Sequence, residues 1–207
     1  SATFFFFTSL KYMHLAEVNA IFQIAPIFVT TLSAIVLREV VDFRRWISVI
    51  FGMFGALIII RPGSEIFSIT LILPAIAAFC YASYVISTRY LSDDDSVVTN
   101  FIYSSIVGTI MASILVVQDW TPIKNSDVFL FCSIGLIGGL GHVGLIYAFK
   151  ITQASFLAPL NYMALIFATI WGFLLFNEIP SYVTIFGAII IVSSGIYIWI
   201  KDQGLTN

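Results

Sequence analysis

From Gln153 to Phe176 the chain carries no Asp, Glu, Lys or Arg, and the same holds from Tyr182 to Ile200. Each run is about 20 residues long, the length at which an α-helix crosses the roughly 30 Å hydrocarbon core of a bilayer. Only the polar hinge around Asn177, Glu178, Pro180 and Ser181 separates them. The expected unit is a helix, a turn and a second helix, and the rest of the chain must be compatible with it. Composition agrees: 60% of the 207 residues are apolar and 10% are charged, whereas a soluble globular domain carries about 25% charged residues. Backbone polar groups in lipid must be satisfied internally, so only helices or a closed barrel can cross. The runs show no strict alternation and are about twice the length of a barrel strand, which leaves helices. The fold class is an all-α membrane protein, a polytopic helical bundle.

A net charge of −2 without a basic cluster gives nucleic acid nothing to bind. The lipid bilayer is the expected surrounding, and a homodimer is compatible with the sequence. Cys80 and Cys132 lie inside apolar runs, where small packing residues are the ordinary reading, and no disulfide is assigned.

Hydropathy places spans at about 16–37, 44–61, 67–91, 97–118, 127–149, 153–176 and 182–201. A shorter apolar piece over about 1–12 reads as the tail of a helix that begins upstream. The expectation is therefore about seven full spans plus a partial one, joined by short connections. Lys and Arg set the orientation: with Arg38, Arg44 and Arg45 in the cytoplasm, Arg89, Lys150 and Lys201 fall on the same side. Lys11, Arg61 and Lys124 then face outward.

Offsetting the sequence by 139 positions brings a second copy into register: Glu178 falls on Glu39, Lys150 on Lys11, Phe167 on Phe28 and Tyr182 on Phe43. Asp42 and Ser181 also coincide, and both residue types cap a helix N-terminus. With the orientation above, the two glutamates lie on opposite sides of the membrane, as in inverted-topology repeats. The expected domains are 1–63, the C-terminal part of a first, incomplete unit, and 67–201, the second unit. Inversion needs an odd number of spans per unit, and the second has five, so the parent is expected to have about ten spans.

The motifs Leu37-Arg38-Glu39 with Trp46, Gly52 and Gly55, and Phe176-Asn177-Glu178 with Gly187 and Gly195, resemble the EamA-type drug/metabolite transporter superfamily. So does the run from Leu57 to Gly63 that closes the first copy, and the resemblance covers essentially the whole chain. The family's usual Gly before the glutamate is Arg38 in one copy and Asn177 in the other. The resemblance implies a multi-pass protein of the bacterial inner (cell) membrane, not an enzyme and without a cofactor. It also implies the substrate class, a small-molecule metabolite such as an amino acid, nucleoside, vitamin, cofactor or drug-like solute, moved in either direction.

Polar groups within the spans are the candidates for contact with that solute, because each is costly in hydrocarbon without a partner or a wet path. Asn19, Gln23 and Pro26 recur at the spacing of one helix face, and their counterpart is the stretch Pro159, Asn161 and Tyr162. Tyr162 matches Gln23 under the offset. Both prolines remove backbone donors and free carbonyls. Interhelical hydrogen bonding is the bland alternative. His142 sits in a glycine-rich segment whose Gly135 and Gly139 suggest close helix packing, and Tyr81 and Tyr84 stripe the span 67–91. Glu17 is the candidate for proton coupling, against a simple favourable charge at a helix N-terminus. Glu39 and Glu178 are expected to lock their turns structurally, and no metal site is expected.

The leading reading is a secondary transporter working by alternating access about a midplane site. The competing class is an intramembrane enzyme acting on lipid or peptide, which needs a nucleophile and base or paired buried aspartates; no such set is visible. A channel would show a ring of charge or a repeated filter sequence, and neither is visible.

Overall fold

The structure, a computed structural model, describes residues 2–12, 15–60, 71–92, 94–116, 124–177 and 179–203. All regular structure among them is helical: α1 (Ala2–Ser9), α2 (Leu15–Phe22), α3 (Ala25–Val36), α4 (Phe43–Ile60), α5 (Ile72–Tyr90), α6 (Val97–Val116), α7 (Val128–Ile151), α8 (Ala154–Leu157), α9 (Met163–Phe176) and α10 (Tyr182–Gln203). Short 3-10 turns precede α7 and join α8 to α9 over Ala158–Tyr162. Among the described residues, four apolar stretches reach membrane length: Ile72–Tyr90, Val97–Ile114, Asn125–Ile151 and Ala154–Trp171. His14, the 61–65 connection, Asp93 and Glu178 lie outside the described residues, as does the side chain of Glu17.

Local chemistry accounts for the helix ends. Ser96 and Ser181 each accept a backbone N–H three residues on, from Thr99 at 3.0 Å and Thr184 at 3.2 Å, which satisfies one of the orphan donors of α6 and α10. Ser181 is thus the cap expected from sequence, whereas the Asp42 carboxylate pairs with Arg44 at 3.5 Å. At the end of α3 the N–H of Leu37 and that of Glu39 both reach the Ser33 carbonyl, at 3.2 Å each. Such a closure requires a left-handed residue in between, and Arg38 supplies it with φ 53°. Asn177, its match after α9, has φ 55°. These are the two positions where the family resemblance would place glycine, and the backbone conformation explains that preference.

Two sets of contacts hold the bundle. Val29, Val49, Ala82, Val85, Ile86, Phe149, Ala154 and Ala158 form a buried cluster joining α3, α4, α5, α7 and the α8 region. The matched helices α4 and α10 pack against each other along their lengths. They come into backbone contact: a Cβ on Gly55 would lie 2.9 Å from the Gly187 carbonyl oxygen, and one on Gly187 would lie 2.8 Å from that of Gly55. The close packing expected of Gly135 does not occur among the described residues, because nothing lies within 4 Å of a Cβ placed there, and at Gly139 only the Phe101 ring edge does, at 3.9 Å. Among its described side chains α6 has none buried, and it presents Ile102, Tyr103, Ile106 and Ile110 outward, as a lipid-facing helix does.

Candidate solute site at two helix breaks

The span expected over 16–37 is two helices, α2 and α3, with Gln23 and Ile24 between them. Pro26 lies in the first turn of α3 and has no N–H to give the Phe22 carbonyl. The Ile27 N–H turns to the Ile24 carbonyl at 2.9 Å, a tighter bond than an α-turn, so the Gln23 carbonyl loses its helical donor. The Tyr162 hydroxyl takes it, at 3.2 Å. Tyr162 comes from the other break, where Pro159 sits in the 3-10 turn between α8 and α9. Its fully buried ring lies over Gly52, where an added Cβ would be 2.4 Å from the ring edge. The shared face expected for Asn19, Gln23 and Pro26 holds only as far as Gln23: Pro26 lies beyond the break, where the tighter turn shifts the helical phase. Asn19 stays in α2, one turn before the break, and its carbonyl accepts the Gln23 N–H at 3.1 Å.

Around the breaks the structure gathers rings and amides. The Tyr81 hydroxyl donates to the Asn161 Oδ1 at 3.5 Å, and the Tyr81 ring lies 5.7 Å from that of Phe22, which in turn meets Phe6 edge-on at 5.4 Å. The Asn161 Nδ2 is buried with no hydrogen-bond partner among the described residues. Buried amide donors in native proteins are nearly always paired, so an idle one needs an explanation such as an acceptor brought by a ligand.

One turn along α5 from Tyr81, the Tyr84 ring stacks on His142 of α7 with centroids 5.6 Å apart and planes 14° from parallel. The Tyr84 oxygen lies 3.0 Å from His142 Nε2, and the Ser104 oxygen of α6 lies 3.3 Å from the same nitrogen. Ser104 also donates to the Phe101 carbonyl at 3.1 Å, so its oxygen faces the imidazole as an acceptor. A protonated Nε2 is then served by two oxygens, and a bare one by the Tyr84 proton, so the cluster satisfies either tautomer.

The structure brings Gln23, Tyr162, Asn161 and Tyr81 together, with Pro26 and Pro159 at the breaks and Tyr84 paired to His142. Sequence reasoning missed Phe22, Ser104 and the seat that Gly52 provides. The spacing motif contained Gly52 but could not show that its neighbour is Tyr162, a residue 110 positions away.

The EamA-like transporter family model matches residues 1–61 and 68–200 of this chain. Over 180 residues the chain is 32% identical to a riboflavin transporter of Vibrio cholerae, covering 86% of this chain and 60% of that protein. It is 26% identical over 182 residues to an S-adenosylmethionine uptake transporter of Rickettsia conorii, covering 88% of this chain and 62% of that protein. With the pseudopaline exporter CntI of Pseudomonas aeruginosa the identity is 28% over 189 residues, or 90% of this chain and 66% of that protein. The chain thus spans 60–66% of the length of these relatives. A crystallographically determined chain superposes with a TM-score of 0.84 over 100% of this chain and 74% of its own length, at 17% identity, a likeness of fold alone.

Proposed function

Because the chain belongs to the EamA-like transporter family, as a multi-pass integral membrane protein, we propose that it moves a small organic solute by alternating access. The solute sits where the breaks at Gln23–Ile24 and Ala158–Tyr162 meet. One observation carries this reading: the two matched spans are both interrupted, and the interruptions are bonded to each other through Tyr162 and Gln23. Discontinuous helices meeting at the midplane are how many secondary transporters expose backbone groups to cargo. Gln23, Tyr81, Tyr84, His142, Asn161 and Tyr162 contact or frame the solute, Asn19 lines the approach, and Pro26 and Pro159 hold the breaks.

The units 1–63 and 67–201 are oppositely oriented copies, and the parent has about ten spans. Support comes from the equal left-handed residues Arg38 and Asn177, the packing of α4 on its match α10, and the 139-residue spacing of the bonded pair. The membrane is the bacterial inner membrane, with Arg38, Arg44, Arg45, Arg89 and Lys150 on the cytoplasmic side. Bacterial relatives and the clustering of Arg45, Arg89 and Lys150 at one end of the bundle support that orientation. Glu17 remains the proposed coupling carboxylate, Glu178 the counterpart of Glu39 in its turn, and a homodimer the proposed assembly.

Stacked rings beside an idle amide donor suit a flat heterocycle bearing carbonyl or ring-nitrogen acceptors. The relatives named for riboflavin and S-adenosylmethionine carry cargo of that kind. The test is counterflow: liposomes holding the intact protein and unlabelled riboflavin or S-adenosylmethionine should take up the labelled compound, saturably. Asn161→Ala should raise the half-saturating concentration about tenfold, the loss of roughly 1.4 kcal/mol. Turnover of a lipid or peptide without any solute flux would overturn the reading in favour of an intramembrane enzyme.

A further inference from the structure

We infer that Glu39 is the latch that closes the bundle at the Arg45–Arg89 end and must release when the solute site opens to that side. The inference rests on the transport reading above. The Glu39 carboxylate, with its side chain 7% exposed, finds its partners among the described residues away from its own turn. Its Oε1 accepts the Ala154 N–H at 3.0 Å, and its Oε2 accepts the Ser155 N–H at 3.1 Å and the Ser155 hydroxyl at 2.8 Å. Arg89 Nε stands 3.8 Å from Oε1. All of these partners belong to the proposed second unit, more than a hundred positions away in the case of Ala154 and Ser155.

Two guanidinium groups extend the closure. Arg45 donates to the Ser155 oxygen at 2.6 Å and to the Gln153 side-chain carbonyl, so Ser155 donates a hydrogen bond to Glu39 while accepting one from Arg45. Arg89 also donates to the Lys150 carbonyl at 2.8 Å and the Phe149 carbonyl at 3.3 Å, tying the C-terminal turn of α7 into the same cluster. A carboxylate at a helix start and a cation at a helix end are both favoured by the backbone dipoles, which suits Glu39 beside Ala154 and Arg89 beside the end of α7.

These bonds are of a kind that water can replace, and a polar cleft lined by Arg38, Arg89 and Tyr90 already adjoins Glu39. The α4–α10 interface is the opposite kind, with backbone contact at Gly55 and Gly187 framed by isoleucine side chains. Motion that separates the units therefore pivots on α4–α10 and breaks at Glu39. The sequence adds an asymmetry: under the 139-residue offset the matches of Ser155 and Arg45 are Ala16 and Thr184, which supply neither that hydroxyl nor a guanidinium. The Glu39 end is thus the more tightly held, and the resting protein faces the other side.

The experiment uses the intact protein in liposomes with Cys80 and Cys132 replaced by Ser and a reporter thiol introduced as Ala154→Cys, a position fully buried beneath Glu39. Alkylation by a membrane-impermeant maleimide from the Arg45–Arg89 side should be slow, and Glu39→Gln should speed it at least fivefold without solute present. Ser155→Ala and Arg45→Lys, milder cuts in the same chain of bonds, should each speed it twofold or more, and they carry the test if Glu39→Gln does not fold. Unchanged alkylation in folded Glu39→Gln protein, or in both milder variants, would overturn the latch. Riboflavin counterflow is run on the same vesicles: its absence throughout, with alkylation still responsive, overturns the transport reading instead.

Discussion

The Tyr162 hydroxyl donates to the backbone carbonyl of Gln23 at 3.2 Å, and the two residues are 139 positions apart, the very offset that superimposes the two halves of the sequence. Residues matched by a two-fold operation touch only where they lie on its axis. The pair therefore marks the place about which the two proposed units turn.

Removing that hydroxyl tests what the bond contributes. Tyr162→Phe keeps the ring over Gly52 but leaves the Gln23 carbonyl without a donor, at a cost of about 1–3 kcal/mol for an unsatisfied buried acceptor. The expected result is a lower melting temperature in detergent. Gln23→Leu should spare the bond, because the acceptor is main chain. A Tyr162→Phe protein as stable as the parent would mean that another group supplies the carbonyl.

The glycine contact between α4 and α10 gives a second prediction. Gly187→Ala places a methyl 2.8 Å from the Gly55 carbonyl oxygen and 2.7 Å from the Ile59 side chain, and backbone cannot yield as a rotamer can. Overpacking of this kind costs about 1–3 kcal/mol, read as earlier thermal unfolding. Gly108→Ala, with nothing within 4 Å, is the control and should not lower stability.

Left-handed backbone at Arg38 predicts a gain. Arg38→Gly relieves a conformation that costs an L-residue roughly 1–2 kcal/mol, so stability should rise by up to that amount in chemical or thermal unfolding. Asn177→Gly should gain less, since Asn tolerates this region better. Arg38→Val should be the most damaging of the three, because a β-branched residue fits φ > 0 worst.

How much of this was legible in the sequence depended on the range of the interaction. Spans were legible because hydrophobic length is local: the expected 127–149 and 182–201 appear as Val128–Ile151 and Tyr182–Gln203. The prolines signal freed carbonyls within continuous spans and leave the breaks unread, and the common face drawn through Asn19, Gln23 and Pro26 stops at Gln23 because a periodicity argument assumes an unbroken helix. Glycine content misled at Gly135, where no described neighbour comes within 4 Å, whereas the close contact at Gly55 and Gly187 is not drawn from the sequence, where those glycines are only motif positions. Glu39 stood out as a motif residue with a role assigned to its own turn. Its bonds to Ala154 and Ser155 are a matter of tertiary placement, which no local pattern encodes.

The proposed opposed orientation of the two units underlies the axis, the site and the latch. It is tested most directly with single thiols introduced as Arg38→Cys and Asn177→Cys, both at exposed turn positions, in intact protein whose Cys80 and Cys132 have been replaced by Ser. An impermeant maleimide applied to whole cells should label the thiol at position 177 and reach that at position 38 only after the membrane is opened; labelling of both from the same side would contradict the account.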